Sequence, residues 1–248
     1  MYKSHPKLTS PSNPKEKIWR YMDFTKFVSL LSKQSLFFCR VDKLDDQNEM
    51  TMPIANKKKH IEFYENNKEQ IKKDFNKLPL EVWASLWDIT RHSIIINSWN
   101  RSEYESASMW STYLVSNQGI AIQSSFNLLS ESFHKTSDEI NIGIVKYKDY
   151  KTEIIEDDTI FGLVTNKLQS YEHERELRVM IINQSGKDGM PLHDIGKYVP
   201  IDINVLIESI YIAPNAPKWF NELVIEVIKH FGFNFPIKTS ELNDRSLY

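Results

Sequence analysis

The sequence has little cysteine and no long apolar run. A single cysteine, Cys39, excludes an intramolecular disulfide and favours a reducing compartment. No apolar stretch approaches the ~20 residues of a membrane span, and the first residues lack the apolar core of a secretory signal. These features predict a cytoplasmic protein with no membrane partner.

Glycine and net charge are also scarce. None of the seven glycines forms a GxGxxG motif or a phosphate loop, so a Rossmann or P-loop nucleotide fold has no local support. A formal net charge of −2 at pH 7 gives no general attraction to nucleic acid or anionic membrane. The composition therefore disfavours a simple nucleic-acid-binding module, although a local basic groove remains compatible with it.

Aromatic residues are abundant: they make up 12% of the 248 residues, including six Trp and eleven Tyr. Such chains often line ligand pockets as well as cores. Apolar periodicity alternates between strand-like and helix-like segments without regular βαβ units, which predicts an α+β fold with a central, mostly antiparallel sheet and peripheral helices. We predict a flexible N-terminal segment at residues 1–14, then a single domain over residues 15–248, with a charged helical insertion at about 55–92.

The first candidate block is "SLFFCRVDKLDDQNE". It is preceded by residues 17–34, whose apolar spacing predicts a helix capped by Asp23 or Thr25. The block itself predicts a short strand that delivers Arg40 at its end, where a guanidinium can bind a phosphate or a carboxylate in bidentate fashion. The alternative is a structural salt bridge from Arg40 to one of the acidic residues that follow, Asp45, Asp46 or Glu49.

The second block is "SWNRSEYESASMWSTY". Trp110 and Tyr113 are three residues apart in a predicted helix, so both rings are expected on one face of it. Together they would stack on a flat heteroaromatic ligand, and Ser98 in the preceding strand would point to the same region. The alternative is that both rings belong to the core.

The third block is "YEHERELRVMI". If a strand begins near Arg175, then Glu174, Glu176 and Arg178 alternate onto one face. A carboxylate paired with a buried guanidinium would be held rigidly, in a position to stabilise a cation or polarise a hydroxyl. The alternative is a set of surface ion pairs that also involves Arg175 or Lys167.

Metal and nucleophile chemistry have weaker signals. The seven histidines are scattered without metal-site spacing, and no nucleophile-elbow pattern is present, so no metal ligands are predicted. The clustered carboxylates nevertheless offer hard oxygen ligands for a two-metal nuclease if their loops converge. These carboxylates are Asp45, Asp46, Glu49, Glu174 and Glu176.

The order of these blocks resembles an uncharacterised prokaryotic domain-of-unknown-function family that carries Met-Trp-x-x-Tyr and Glu-x-Glu-x-Arg motifs. The match runs from about Trp19 to Ile182, with Tyr171 where Trp is usual. The residues that carry it are Arg40, Asp46, Glu49, Met109, Trp110, Tyr113, Gly119, Tyr147, Lys167, Tyr171, Glu174, Glu176 and Arg178.

More distantly, the same order resembles the ADP-ribosyltransferase superfamily, in its arginine-serine-glutamate class. The resemblance implies that Arg40 contacts the phosphates of NAD, that Ser98 helps to hold the nicotinamide ribose, and that Glu176 is the catalytic acid. It also makes Glu174 the residue that orients or activates the acceptor. The usual Ser-Thr-Ser triplet is absent, and "SWN" at residues 98–100 is the nearest candidate. The resemblance also implies that Trp110, Tyr113 and Arg178 help to bind the cofactor.

This resemblance implies an NAD-consuming ADP-ribosyltransferase or NAD glycohydrolase, with NAD as a substrate. It further implies a toxin or phage-defence effector that modifies protein or nucleic acid and is countered by an inhibitory or antitoxin protein. Two alternatives remain open: a nucleotide-binding module without turnover, and a metal-dependent nuclease that uses the clustered carboxylates.

Overall fold

A computed structural model describes residues 2–46, 48–75, 89–114, 117–157, 159–182 and 195–243. The strands are β1 (Lys17–Asp23), β2 (Ser35–Arg40), β3 (Ile94–Arg101), β4 (Gly119–Ser125), β5 (Asn141–Ile144), β6 (Lys146–Lys148), β7 (Asn166–Leu168), β8 (Glu176–Ile182), β9 (Gly196–Pro200), β10 (Ser209–Ile212) and β11 (Ile237–Thr239). The helices are α1 (Phe24–Lys33), α2 (Ile54–Phe75), α3 (Ala107–Tyr113), α4 (Phe126–Ser132), α5 (Ile160–Val164), α6 (Ile203–Leu206) and α7 (Lys218–His230). Four 3₁₀ turns lie at Val41–Lys43, Phe133–Lys135, Gln169–Glu174 and Glu241–Asn243.

The described strands form a nine-stranded sheet and a separate pair. The main path runs β11-β10-β4-β1-β3-β2-β9, and β8 joins it by pairing with β3 on one side and β5 on the other. Within this sheet only β10 and β11 pair in parallel; all other described pairings are antiparallel. The second sheet is the parallel pair of β6 and β7. The predicted α+β class, with a mostly antiparallel central sheet and peripheral helices, is confirmed.

The predicted helix over residues 17–34 is wrong in its first part. Residues 17–23 form β1, which pairs with β4 along its whole length, from Lys17 opposite Ser125 to Asp23 opposite Gly119. Helix α1 begins only at Phe24, and the Asp23 carboxylate caps it by accepting a hydrogen bond from the backbone N–H of Lys26 at 2.8 Å. The cap was predicted; the strand before it was not, because tertiary pairing overrides local periodicity.

Strand β8 separates two apolar layers. Its Leu177 and Val179 pack in the larger core with α1 and α7, whereas Met180 packs in a second core with Ile94 and Met50. Because side chains alternate along a strand, Glu176 and Arg178 share the face of Met180, as predicted. Glu174 lies outside the strand, in the preceding 3₁₀ turn, and Arg175 adopts the left-handed region (φ 41°) between them.

The structure describes parts of the predicted N-terminal segment and of the predicted insertion. Tyr2 bridges to Ile140, Leu8 is buried, and the carbonyl of Thr9 accepts a hydrogen bond from the N–H of Ile144 at 2.8 Å. Helix α2 occupies the segment predicted as a charged helical insertion, while residues 76–88 of that segment lie outside the described residues. The flexibility of residues 1–14 and the domain boundaries stay predictions. No described helix is long and apolar enough to cross a membrane.

Candidate functional site

A cleft of about 800 Å³ opens where the main sheet divides. On the side away from β8, strand β3 pairs with β2 at Ile95 and Ile96 and with β1 at Asn100 and Arg101. Residues 97–99 lie between these two pairings, and among the described residues no strand pairs with them on that side. The cleft follows this gap, and its volume is typical of small-molecule sites.

The walls of the cleft combine polar and apolar side chains. Polar side chains that could meet a ligand's charged or hydroxyl groups include six from five different elements: Arg20, Ser98, Asn100, Tyr113, Glu174 and Glu176. Much of the remaining wall is apolar and includes Leu36, Phe37, Trp99 and Met109. This arrangement suits a ligand that has both charged groups and flat apolar rings.

Glu176 is the most constrained acidic side chain of the cleft. Its carboxylate is only 3% exposed and accepts hydrogen bonds from the Ser98 hydroxyl and from Arg178, whose Nε lies 2.6 Å from Oε1 and whose Nη2 lies 2.8 Å from Oε2. Burial by itself would raise the pKa of Glu176, but Arg178, Lys167 and Ser98 outweigh it and lower the pKa to about 2. Glu176 is therefore ionised near neutral pH.

Arg178 pairs with Glu176 but does not line the cleft. The guanidinium is 1% exposed and also donates to both oxygens of Glu49, at 2.7 and 3.0 Å, and to the carbonyl of Val164 at 2.7 Å. Glu176 and Glu49 raise the pKa of Arg178 well above its ordinary value against the opposing effect of burial. Arg178 is therefore not among the residues that line the cleft, and the cofactor-binding role that the resemblance implies for it stays a prediction.

Glu174 lines the cleft beside Glu176. The ammonium of Lys167 lies 2.8 Å from its Oε2, and the Asn100 side chain donates to its backbone carbonyl at 2.7 Å. Burial raises the pKa of Glu174, and the nearby Glu176 adds to that rise, while Lys167 opposes it. The structure therefore brings together Ser98, Glu174 and Glu176, three of the predicted site residues.

Arg20 is a cleft residue that the sequence prediction missed. It extends from β1 and donates a hydrogen bond from its guanidinium to the backbone carbonyl of Ser98, which none of the described strands engages on that side. No carboxylate of the described residues lies within 4.0 Å of it, and burial lowers its pKa to about 10 against the opposing effect of Tyr113 and Glu176. A guanidinium with so little charge compensation is a suitable ligand for an anionic group. The signal was hidden because residues 17–23 were predicted as helix.

Arg40 ends β2 as predicted but does not reach the cleft wall, although its neighbour Cys39 does. Its buried guanidinium is engaged by Asp42 in bidentate fashion, with Nε–Oδ1 at 2.5 Å and Nη2–Oδ2 at 2.9 Å. The alternative of a structural salt bridge is correct in kind, and the partner is Asp42. None of the three acidic residues named in the prediction makes that contact.

The aromatic pair is divided between the cleft and the core. Tyr113 lines the cleft and is partly exposed, whereas Trp110 is buried edge-on against Tyr21, with ring centroids 4.9 Å apart, and donates from its indole to Glu105 at 2.7 Å. Residues four apart lie closer on a helix face than residues three apart, so Met109 shares the cleft with Tyr113. The prediction that both rings line one cavity fails for Trp110.

Three of the five carboxylates proposed as metal ligands are engaged otherwise. Glu49 and Glu176 both accept hydrogen bonds from Arg178, and Glu174 pairs with Lys167. In the part of the chain that the structure describes, no group of three or more His, Cys, Asp or Glu has an arrangement suited to a metal ion.

No protein-family model matches the chain, and no curated protein sequence does. Similarity to the uncharacterised prokaryotic family therefore stays a prediction. Among solved structures, the chain is similar to Thermus sp. 2.9 DarT in complex with NAD+, at 10% identity and a TM-score of 0.42, over 96% of this chain and 100% of that one. It is also similar to Thermus sp. 2.9 DarT in complex with carba-NAD+, at 10% identity and a TM-score of 0.40, over 94% and 97%.

Proposed function

We propose that the protein is an ADP-ribosyltransferase-like enzyme that uses NAD as a substrate, with Glu176 as its catalytic carboxylate. One observation carries the proposal: Glu176 is ionised and fixed by Ser98 and Arg178 at the wall of a cleft that also holds the guanidinium of Arg20, which has no carboxylate of the described residues within 4.0 Å. The motif order that resembles the ADP-ribosyltransferase superfamily supplies the reaction class.

The chemistry asked of Glu176 is electrostatic. Cleavage of the bond between nicotinamide and ribose leaves the electron pair on the departing neutral nicotinamide and positive charge on the ribose ring. A preorganised carboxylate beside that ring stabilises the cation. An acceptor nucleophile, or water, then forms the new bond to the ribose carbon and loses a proton. Glu174 is the group proposed to take that proton, since its raised pKa makes it a better base than Glu176.

Binding roles are assigned by position in the cleft. Arg20 takes the phosphate-binding role that the resemblance gave to Arg40, because Arg20 lines the cleft while Arg40 is held by Asp42. Tyr113 and Met109 are proposed as the wall against the leaving ring, where Tyr113 and Trp110 had been predicted.

The biological role follows the resemblance. We propose a toxin or phage-defence effector whose acceptor is a protein or a nucleic acid, with an inhibitory partner protein in the producing cell. The net charge of −2 does not favour either class of acceptor.

A second candidate function has one observation in its favour. Both oxygens of Glu176 already accept hydrogen bonds within the protein. A carboxylate so fully engaged is also what a purely structural ion pair looks like. Under this alternative the cleft binds a nucleotide without turnover.

The experiment that separates the two candidates uses NAD carrying one label in the nicotinamide and another in the adenylate. The full chain is incubated with it, with and without cell lysate. Release of labelled nicotinamide, with or without entry of the adenylate label into protein or nucleic acid, supports the enzyme. NAD that raises the melting temperature but stays intact on long incubation supports the binding module instead. If NAD is neither bound nor cleaved, both candidate functions are refuted.

A further inference from the structure

Lys167, which lies outside the main sheet, forms ion pairs with the acidic side chains of the site. Lys167 lies on β7 and is paired with Tyr147 of β6. Its ammonium is 2.8 Å from Glu174, 3.3 Å from Glu49 and 3.9 Å from Glu176, and it lies 4.5 Å from the centre of the Tyr171 ring.

The charges around it are unbalanced. Three carboxylates face only two cations, Lys167 and Arg178, so the cluster carries one net negative charge; the carboxylates are Glu49, Glu174 and Glu176. Arg178 pairs with Glu49 and Glu176. Among the described residues, Lys167 is the only cation within 4.0 Å of Glu174.

Side chains of neighbouring strands also form hydrogen bonds with the backbone of Glu174 and Glu176. The Asn100 side chain donates to the carbonyl of Glu174 at 2.7 Å, and the N–H of Glu176 donates to the Tyr147 hydroxyl at 2.7 Å. The paired residues Tyr147 and Lys167 thus fix one carboxylate through its backbone and the other through its side chain.

We propose that Lys167 is a positioning residue for the proposed reaction: it keeps Glu174 ionised and oriented into the cleft. The inference rests on the proposed function for its catalytic meaning, while its electrostatic part concerns Glu174 alone. Lys167 does not itself line the cleft. It contacts two wall residues, Glu174 at 2.8 Å and Glu176 at 3.9 Å, so it acts on a ligand through them, and mainly through Glu174.

The direction of the effect follows from the surroundings of Glu174. Burial already raises its pKa and Lys167 opposes that rise, so loss of Lys167 raises the pKa further. Glu176 keeps Arg178 and stays ionised. The titratable and charged groups that face Glu174 are Lys167 from β7, Glu176 and Arg178 from β8, Tyr113 from α3, Tyr147 from β6 and Tyr171 from the same 3₁₀ turn as Glu174.

The experiment compares Lys167→Met with Lys167→Arg and with Tyr147→Phe, which removes the backbone contact and no charge. The pH dependence of NAD cleavage is measured for each, with kcat and KM separated. The carboxyl carbon of Glu174 is also titrated by NMR in protein labelled at glutamate. We expect Lys167→Met to shift the acidic limb of kcat and the Glu174 titration upward by about one pH unit. KM for NAD should change less than about threefold. Lys167→Arg should restore most of both, and Tyr147→Phe should leave the Glu174 titration in place.

The NMR titration separates failure of this inference from failure of the proposed function. If the wild-type protein does not cleave NAD but Lys167→Met still raises the Glu174 titration, the function is wrong and the role of Lys167 in ionising Glu174 holds. A Glu174 titration that is unchanged in Lys167→Met overturns the inference whatever the activity. If Lys167→Met does not fold, the double variant Lys167→Met with Glu49→Gln keeps the cluster charge at −1. It is expected to raise the Glu174 titration by less, because the Glu49 charge is also gone, and no rise in it overturns the inference.

Discussion

Arg178 joins Glu176 to Glu49: one guanidinium donates to Glu176 at 2.6 and 2.8 Å and to Glu49 at 2.7 and 3.0 Å. The two carboxylates are 127 positions apart in the sequence, yet only one of them, Glu176, lines the cleft. This relationship makes Glu176 structural and, under the proposed function, catalytic at once. Stability and activity must therefore be separated by design.

Substitution of Glu176 by Gln should abolish activity. The amide is uncharged and cannot stabilise the ribose cation, so nicotinamide release should fall by at least about 100-fold. The change also weakens a buried hydrogen-bonded charge pair, and we expect it to lower the free energy of unfolding by about 1–3 kcal/mol. An unchanged melting temperature is therefore not expected, and a modest decrease does not argue against catalysis.

Glu49→Gln is the matched control for that variant. Glu49 is buried to the same degree and pairs with the same guanidinium, but it does not line the cleft. The Glu49→Gln variant should lose a similar free energy of unfolding, measured in urea, and keep at least about a tenth of the wild-type activity. Equal losses of activity in both variants would mean that Glu176 is only a structural partner of Arg178.

Replacement of Ser98 by Ala tests the hydrogen bond that orients Glu176. The carboxylate keeps Arg178, so we expect kcat to fall by about 10–100-fold with little change in KM. Ser124→Ala serves as the comparison, since its buried hydroxyl donates to the carbonyl of Leu206 at 2.6 Å away from the cleft. A rise in KM alone, with kcat preserved, would contradict the role given to Ser98.

The two arginines can be tested against each other by NAD titration calorimetry. Arg20→Gln should weaken binding by about 10–100-fold, the usual value of one hydrogen bond to a charged group, and leave stability nearly unchanged. Arg40→Gln should do the reverse: it leaves Asp42 without its bidentate partner and should lower stability while binding is preserved. The opposite pattern would restore Arg40 to the phosphate-binding role.

Stability should depend on acid pH through Glu176. Its pKa is lowered on folding, from an ordinary value of 4.5 to about 2, so the folded state binds the proton less tightly than the unfolded state. The resulting stabilisation is fully present above about pH 4.5 and is lost as the pH falls toward 2, by a few kcal/mol. Urea unfolding across this range should show that slope, and Glu176→Gln should flatten it. Glu174 acts in the opposite direction, since its raised pKa costs stability as the pH rises through its titration.

Several local features were accessible from the sequence. The strand that ends at Arg40, the alternation that places Glu176 and Arg178 on one face, and the cap at Asp23 all depend on neighbours within a few residues. The mixed class with an antiparallel sheet followed from the spacing of such segments. Strand β1 was missed because its apolar residues continue the helical spacing of α1, and only its pairing with β4 decides the matter.

The site itself depended on the tertiary structure. Local periodicity does not specify which strands pair, and the pairing of β3 with β1 and β2 at different positions is what opens the cleft beside Ser98. The same pairing brings Arg20 into the cleft, whereas Arg40 is held outside it by a local partner, Asp42, two residues further along the chain. By itself, the sequence determined the residue types and the faces on which they lie. Only contacts between distant segments decided that Glu49, Lys167 and Arg178 surround the acidic pair, because a buried charge is tolerated only where its partners converge.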